Sequence, residues 1–229
     1  MLKIENVSKL YYQNKGVRNM NLEVREGEIT GILGRNGCGK TTLLKAILNL
    51  VAIDGGKITF HDDAVDKQYD KVAFISEEGS FLPAMNAYQY GDFLRRYYEA
   101  FDSVKYTKLL ERFEIDVYDK IKNYSKGQQM KVEIAAGFSM NAKLMILDEP
   151  FTGLDVYAKE DVIKLLIEQV QDDKVIVLTT HNVEEIEQVV DRCILMEKGK
   201  IVEDVMMDDL YDKGMDIKKL MDKYRPSKD

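Results

Sequence analysis

The chain has 229 residues, of which 45% are hydrophobic and 32% charged, enough apolar material for a substantial core in a soluble globular protein. Its formal net charge of −7 argues against coating nucleic acid, because that binding rests on Lys and Arg neutralising phosphates. A local basic pocket for one small anion stays compatible with this balance.

In chain order, "LKIENV" and "VRNMNLEV" alternate polar and apolar residues and predict strands, with "REGE" as a turn. The apolar run "ITGILG" predicts a buried strand that ends in a Gly-rich loop at Gly34. "KTTLLKAILNL" then places Leu43, Leu44, Ile47 and Leu48 on one side of a helix. Strand, Gly-rich loop and helix together open an α/β unit. "DGGKITF" and "KVAFIS" predict two further strands.

Residues 83–140 have a mostly helical pattern, rich in aromatics early on ("FLRRYYEAF"), and are read as a helical insertion. "KLMILDEP" predicts a buried strand ending in acids, "YAKEDVIKLLIEQV" an amphipathic helix and "KVIVLTTH" another buried strand. "NVEEIEQVV" is expected to be helical, and "RCILMEKGKIVED" to be a hairpin about Lys198-Gly199. From about Met206 a charged tail carries a helical pattern, contributes packing, and ends in a frayed "RPSKD".

Cys38 and Cys193 lie far apart, in neither a disulfide framework nor a zinc pattern, which suits a reducing compartment. The N-terminal stretch lacks the apolar segment of a signal peptide, and no run approaches the roughly 18 to 20 apolar residues that span a bilayer. The expected location is therefore the cytoplasm, with docking on a membrane protein left open.

The chemistry concentrates in a few motifs. "GRNGCGKTT" fits the phosphate-loop pattern through Gly34, Gly39, Lys40 and Thr41, with Asn36, Gly37, Cys38 and Thr42 in the same stretch. Glycines let the backbone wrap an anion where a β-carbon would obstruct it, and the N–H groups of the loop and helix start point toward it. Lys40 would reach the β- and γ-phosphates and the Thr41 hydroxyl would ligate Mg²⁺. Cys38 reads as a small filler pointing away from the phosphates, with a reactive thiol as the alternative.

"LMILDEP" ends an apolar strand with Asp148 and Glu149, where side chains open onto the crevice of an α/β sheet. Asp148 is placed to hold Mg²⁺ and Glu149 to orient or deprotonate an attacking water. His181 ends "KVIVLTTH" in the same way and is expected to face a γ-phosphate, with a purely structural histidine as the alternative; His61, in a polar turn, is expected to be exposed.

The phosphate loop, "YSKGQ", "LMILDEP", "TGLD" and "TTH", in this order and spacing, resemble the nucleotide-binding subunit of ATP-binding cassette (ABC) transporters over residues 2 to 205 or so. That resemblance implies an α/β fold: a RecA-like P-loop core with a mostly parallel sheet, an N-terminal antiparallel β subdomain and an inserted helical subdomain. It implies one ATPase domain over 1–229, with 1–82 and 141–205 as catalytic core and β subdomain, 83–140 as the helical signature subdomain and 206–229 as a C-terminal tail. It also implies ATP and Mg²⁺ as ligands and a head-to-tail homodimer or heterodimer with two ATP molecules sandwiched between subunits. An integral membrane permease would be the partner, and the chain would lie peripherally on the inner face of the cell membrane.

Carried over residue by residue, Tyr11 matches the aromatic that stacks on adenine, with Tyr12 as the fallback. Ser125, Gly127 and Gln128 match the signature loop, Ser125 also being a good helix N-cap. Gly153, Leu154 and Asp155 match the loop through which the subunits sense each other, and His181 the switch histidine. Two residues depart from the family pattern. Glu77, or Glu78 in a shifted alignment, stands where the family usually has a Gln that meets Mg²⁺ and the membrane partner. Lys126 stands at a frequent Gly, as in a subset resembling ABC-2 type exporters, and is expected to point to solvent. The resemblance thus implies an exporter ATPase, with the aromatic segment from Phe81 to Phe101 as the permease-docking surface and about half of its rings in the subdomain core. A soluble ABC ATPase acting on DNA or ribosomes, or a non-hydrolysing regulatory subunit, is the alternative.

Overall fold

The computed structural model describes residues 1–82, 84–170 and 173–224. The alternating N-terminal segments form β1 (Leu2–Leu10) and β2 (Gly16–Val24), which pair antiparallel, and β4 (Gly55–Phe60) adds to the other edge of β1. Their apolar positions, Leu2, Ile4, Val7, Val17, Met20 and Leu22, are buried on one face. That is the outcome expected of a period-two pattern with one wet side.

The continuous apolar runs become β3 (Ile29–Leu33), β5 (Val72–Ile75), β6 (Leu144–Asp148) and β7 (Val175–Thr180), followed by β8 (Arg192–Glu197) and β9 (Lys200–Met206). They form one sheet in the order β5-β6-β7-β3-β8-β9, parallel except for the antiparallel β8–β9 hairpin. Parallel strands need both faces covered, which explains why β3, β6 and β7 are buried at every position. Helix α1 (Lys40–Ile47) packs Leu43, Leu44 and Ile47 into a core shared with the antiparallel sheet.

Three helices occupy the segment before β6: α2 (Ala87–Tyr97), α3 (Ser103–Arg112) and α4 (Lys126–Ser139). Capping boxes start two of them, Asn86 with Gln89 at α2 and Ser125 with Gln128 at α4. Of the early aromatics, Tyr90 and Phe101 are buried, while Tyr88, Phe93 and Tyr97 are exposed. Helix α5 (Val156–Gln169) follows β6, and the tail forms α6 (Met207–Asp212) and α7 (Ile217–Asp222). Met207, Leu210, Ile217 and Leu220 bury the tail against the main core, while "RPSKD" lies outside the described residues.

One expected element differs. "NVEEIEQVV" forms only a 3-10 turn over Val183–Glu185 and then non-helical turns. A segment this short is marginal as a helix, and its apolar residues are committed elsewhere. Ile186 and Val190 sit directly over Gly31 of β3, where an added β-carbon would come 3.0 Å and 2.8 Å from their side-chain atoms. Packing onto the sheet decides the backbone here. His61 is exposed, as expected, with its Nε2 2.5 Å from Glu26 Oε1 and its ring stacked on Phe60.

Candidate active site

The sheet order brings the separate motifs together. β3 lies between β7 and β8, and β6 lies beside β7, so the loops after β3, β6 and β7 emerge at one edge. These loops carry Lys40, Glu149 and His181, and all three line one pocket of about 450 Å³. Asn36, Gly37, Gly39, Thr41 and Thr42 line its phosphate-loop side, and Tyr11 and Glu77 also reach it.

The loop's shape depends on left-handed glycines, with φ +80° at Gly37 and +114° at Gly39. A β-carbon on Gly39 would stand 2.8 Å from the Gly16 carbonyl oxygen, so the first residue of β2 braces the loop from behind. The hairpin between β8 and β9 braces it too, since Gly199 N–H donates to the Cys38 carbonyl at 2.8 Å.

The buried Lys40 ammonium donates to the Gly34 carbonyl at 2.8 Å and lies 3.2 Å from Glu149 Oε1. The other Glu149 oxygen is 2.9 Å from His181 Nδ1 and accepts the His181 backbone N–H at 3.2 Å. Glu149 itself holds φ +49°, an uncommon conformation for a residue with a β-carbon. Its N–H donates to the Thr179 carbonyl at 3.1 Å and to Thr179 Oγ1 at 3.2 Å. The Thr179 hydroxyl in turn donates to Asp148 Oδ1 at 2.6 Å. Thr179 therefore orients both acids from the neighbouring strand.

Several expected residues stand elsewhere. Gly34 contributes its carbonyl to Lys40 rather than to the pocket wall. The Cys38 side chain is buried behind the loop, where an added β-carbon on Gly34 would meet its sulfur at 2.5 Å, and its N–H donates to the Arg35 carbonyl at 3.0 Å. Burial pushes the Cys38 thiol pKa up. The residue is thus a filler, and neither its thiol nor its N–H faces the pocket. Tyr12 is exposed and does not line the pocket, and Glu78 reaches out to Lys45 at 3.5 Å, whereas Tyr11 and Glu77 line the pocket.

Ser125, Gly127 and Gln128 do not line the pocket of their own chain. Ser125 and Gln128 satisfy each other in the α4 capping box, and Lys126 is exposed. Gly127 abuts the loop after β6, and a β-carbon there would come 2.3 Å from the Gly153 carbonyl oxygen. Asp155 likewise does not line this pocket: Oδ1 caps α5 by accepting from Ala158 N–H at 2.9 Å, and Oδ2 pairs with Lys131 at 3.0 Å. The sequence reading missed Lys15, Gly16 and Thr152, which also line the pocket. The only signal for Lys15 and Gly16 was their nearness to Tyr11.

The donor set fits a magnesium nucleotide. Thr41 and Glu77 line the pocket and offer hard oxygens of the kind Mg²⁺ takes, Asp148 stands behind them on Thr179 at 2.6 Å, and a β-carbon on Gly37 would point into open space. A phosphate-binding strand–loop–helix with an acid at the end of a parallel strand one place removed in the same sheet defines a P-loop nucleotide hydrolase. The comparisons with known proteins narrow this. The family described as ABC transporter matches residues 17–152, more than half of the chain. The chain is 30% identical over 227 residues to the ABC transporter ATP-binding protein YtrB of Bacillus subtilis (strain 168), covering 97% of this chain and 77% of that protein. A solved structure of the ATP binding subunit of an ABC transporter superposes with TM-score 0.86 at 23% identity, over 97% of this chain and 98% of that one. The dimeric post-hydrolysis state of the ATP-binding cassette MJ0796 bound to ADP and Pi superposes with TM-score 0.77 at 25% identity, over 90% and 99%. Relatives include ATP-binding proteins of both import and export systems. The chain belongs to the ABC transporter family and is an ATP-binding subunit, an ATPase.

Proposed function

We propose that this chain hydrolyses Mg-ATP at the pocket between Tyr11 and His181 and, as one half of a dimer, drives a membrane permease between two states. The observation that carries the reading is the convergence of Lys40, Glu149 and His181, from three separate strand ends, on one glycine-cradled pocket. Tyr11 offers the ring that stacks on adenine, and the loop N–H groups with Lys40 hold the phosphates. Thr41, Glu77 and Asp148 would hold Mg²⁺, which when bound neutralises phosphate charge. Glu149 orients and deprotonates the attacking water, and His181 fixes the Glu149 carboxylate at 2.9 Å.

On this reading the start of α4, with exposed Ser125 and Gln128 and buried Gly127 between them, completes the site of a second subunit. The helix N-terminus supplies N–H groups suited to a γ-phosphate, and Lys126 points to solvent. The division into a core (1–82 and 141–205), a helical subdomain (83–140) and a tail (206–229) belongs to the same reading. Exposed Tyr88, Phe93 and Tyr97 on α2 supply an apolar docking face for the permease, at the inner face of the membrane. No helix among the described residues is long and apolar enough to cross a membrane. Export is the favoured direction, on the strength of Lys126 alone.

The testing experiment combines two variants. Lys40→Ala should abolish Mg²⁺-dependent phosphate release, and Glu149→Gln should accumulate an ATP-dependent dimer on size exclusion. Unchanged hydrolysis by Lys40→Ala, or a Glu149→Gln variant that stays monomeric at saturating ATP, would overturn the proposal.

A further inference from the structure

Glu133 lies on α4, two turns after the exposed Ser125 end, and only 2% of it is exposed. Its neighbours along the chain, Val132, Ile134, Ala135 and Ala136, are core residues, so a carboxylate here needs its own explanation. Oε1 accepts the Ser80 backbone N–H at 2.8 Å and the Ser80 hydroxyl at 3.1 Å, while Oε2 lies 2.9 Å from the same hydroxyl. Tyr90 of α2 closes the cluster, its hydroxyl 2.7 Å from Ser80 Oγ.

Ser80 belongs to the loop after β5 that carries Glu77 into the nucleotide pocket. One turn further along α4, Gly137 seats the helix against that same strand: an added β-carbon would come 2.4 Å from Ile75 Cγ1. Six residues before Glu133, about 9 Å along the helix axis, Gly127 abuts the Gly153 carbonyl in the loop following Glu149. Helix α4 therefore touches both loops that flank the pocket, one through a close backbone approach and the other through a buried carboxylate.

We propose that Glu133 is a positioning residue, which ties the Glu77-bearing loop to α4 so that Glu77 and the exposed Ser125 end move as one body. The inference rests on the reading of Glu77 as a nucleotide-site residue. A buried Glu serves this purpose where an apolar side chain would not, because its two oxygens hold the Ser80 N–H and hydroxyl together at fixed geometry.

The test uses the purified full chain with Glu133→Ala, Glu133→Gln and Ser80→Ala. Hydrogen exchange in residues 77–82 should quicken at least tenfold in Glu133→Ala, with β5 and the later turns of α4 still protected. In ATP hydrolysis, kcat should fall five- to twentyfold while KM for ATP stays within twofold, since the phosphate loop and Tyr11 are untouched. In a Glu77→Ala background the same substitution should change kcat by less than twofold. Should Glu133→Ala fail to fold, Ser80→Ala and Glu133→Gln carry the same comparison, with smaller effects of the same sign. Unchanged exchange at 77–82, or fold-changes that simply multiply between the Glu77 and Glu133 variants, would overturn the proposal. Loss of the ATPase reading itself has a different signature: Lys40→Ala as active as the parent, with the exchange result still deciding the tie.

Discussion

Lys40 and Glu149 are partners, Nζ to Oε1 at 3.2 Å, with both side chains almost fully enclosed. The cation proposed to meet phosphate and the acid proposed to act on water are thus each other's ion-pair partners. Entering phosphate must take Lys40 from Glu149, since a cation in a poorly solvated site favours its nearest anion.

That competition sets the first prediction. Glu149→Gln weakens the hold on Lys40, so ATP affinity should rise by about three- to tenfold, while phosphate release falls at least about 100-fold for loss of a general base. Titration with a fluorescent ATP analogue beside a phosphate-release assay separates the two effects. Weaker binding by the variant would show that the pair does not oppose the nucleotide.

Tyr11 makes a second case. Its ring is about half exposed and carries the Lys9 ammonium 5.3 Å from its centroid. Tyr11→Ala should weaken ATP binding by about three- to tenfold, the value of one aromatic stack, and Tyr11→Phe should restore it. Equal Kd values for the Ala variant and the parent would move the adenine elsewhere.

At Gly127 the obstacle is backbone rather than a yielding side chain, namely the Gly153 carbonyl oxygen 2.3 Å from a new β-carbon. Gly127→Ala should cost about 1–3 kcal/mol, the range for overpacking, seen as a Tm lowered by about 2–10 °C for a chain of this size. A Tm within 1 °C of the parent would mean that α4 and the loop after β6 separate freely.

Glu133 gives the protein a pH dependence of definite sign. Burial raises its pKa to about 7 from the ordinary 4.5, against the opposing bonds from Ser80, and Tyr90 and Tyr106 face it from α2 and α3. Between those two values the folded state binds more protons than the unfolded, so this group's contribution to stability falls as pH rises from about 4.5 to 7 and is then level. Relative to the parent, Glu133→Gln should therefore gain several degrees in Tm between pH 5 and pH 8. A difference that stays flat, or shrinks with rising pH, would place the carboxylate in a wetter setting than the structure gives it.

The phosphate loop was legible in the sequence because its determinants are local: an apolar strand, glycines with positive φ, and a helix start within nine residues of one another. Asp148 and Glu149 were legible for a similar reason, at the end of a run too apolar to be anything but a buried strand. Segment 182–190 was misread because its acids and valines fit a helix equally well, and the space over Gly31 that claims Ile186 and Val190 comes from a strand about 150 residues away. Thr152 and Lys15 were missed on the same account, since their approach to the pocket depends on how distant loops stack. Asp155 shows a subtler limit. The motif was found, yet its carboxylate is divided between capping α5 and pairing with Lys131, a partner no spacing rule identifies.

The bracing of the phosphate loop by the Gly16 carbonyl and by Gly199 has a further consequence. The cradle is a mould already cast when the antiparallel sheet and the β8–β9 hairpin dock, so little conformational freedom is left for nucleotide to remove on arrival. Grip on ATP is then heritable through a residue outside the pocket: a substitution at Gly199, on the far side of the loop, reshapes the cradle from behind.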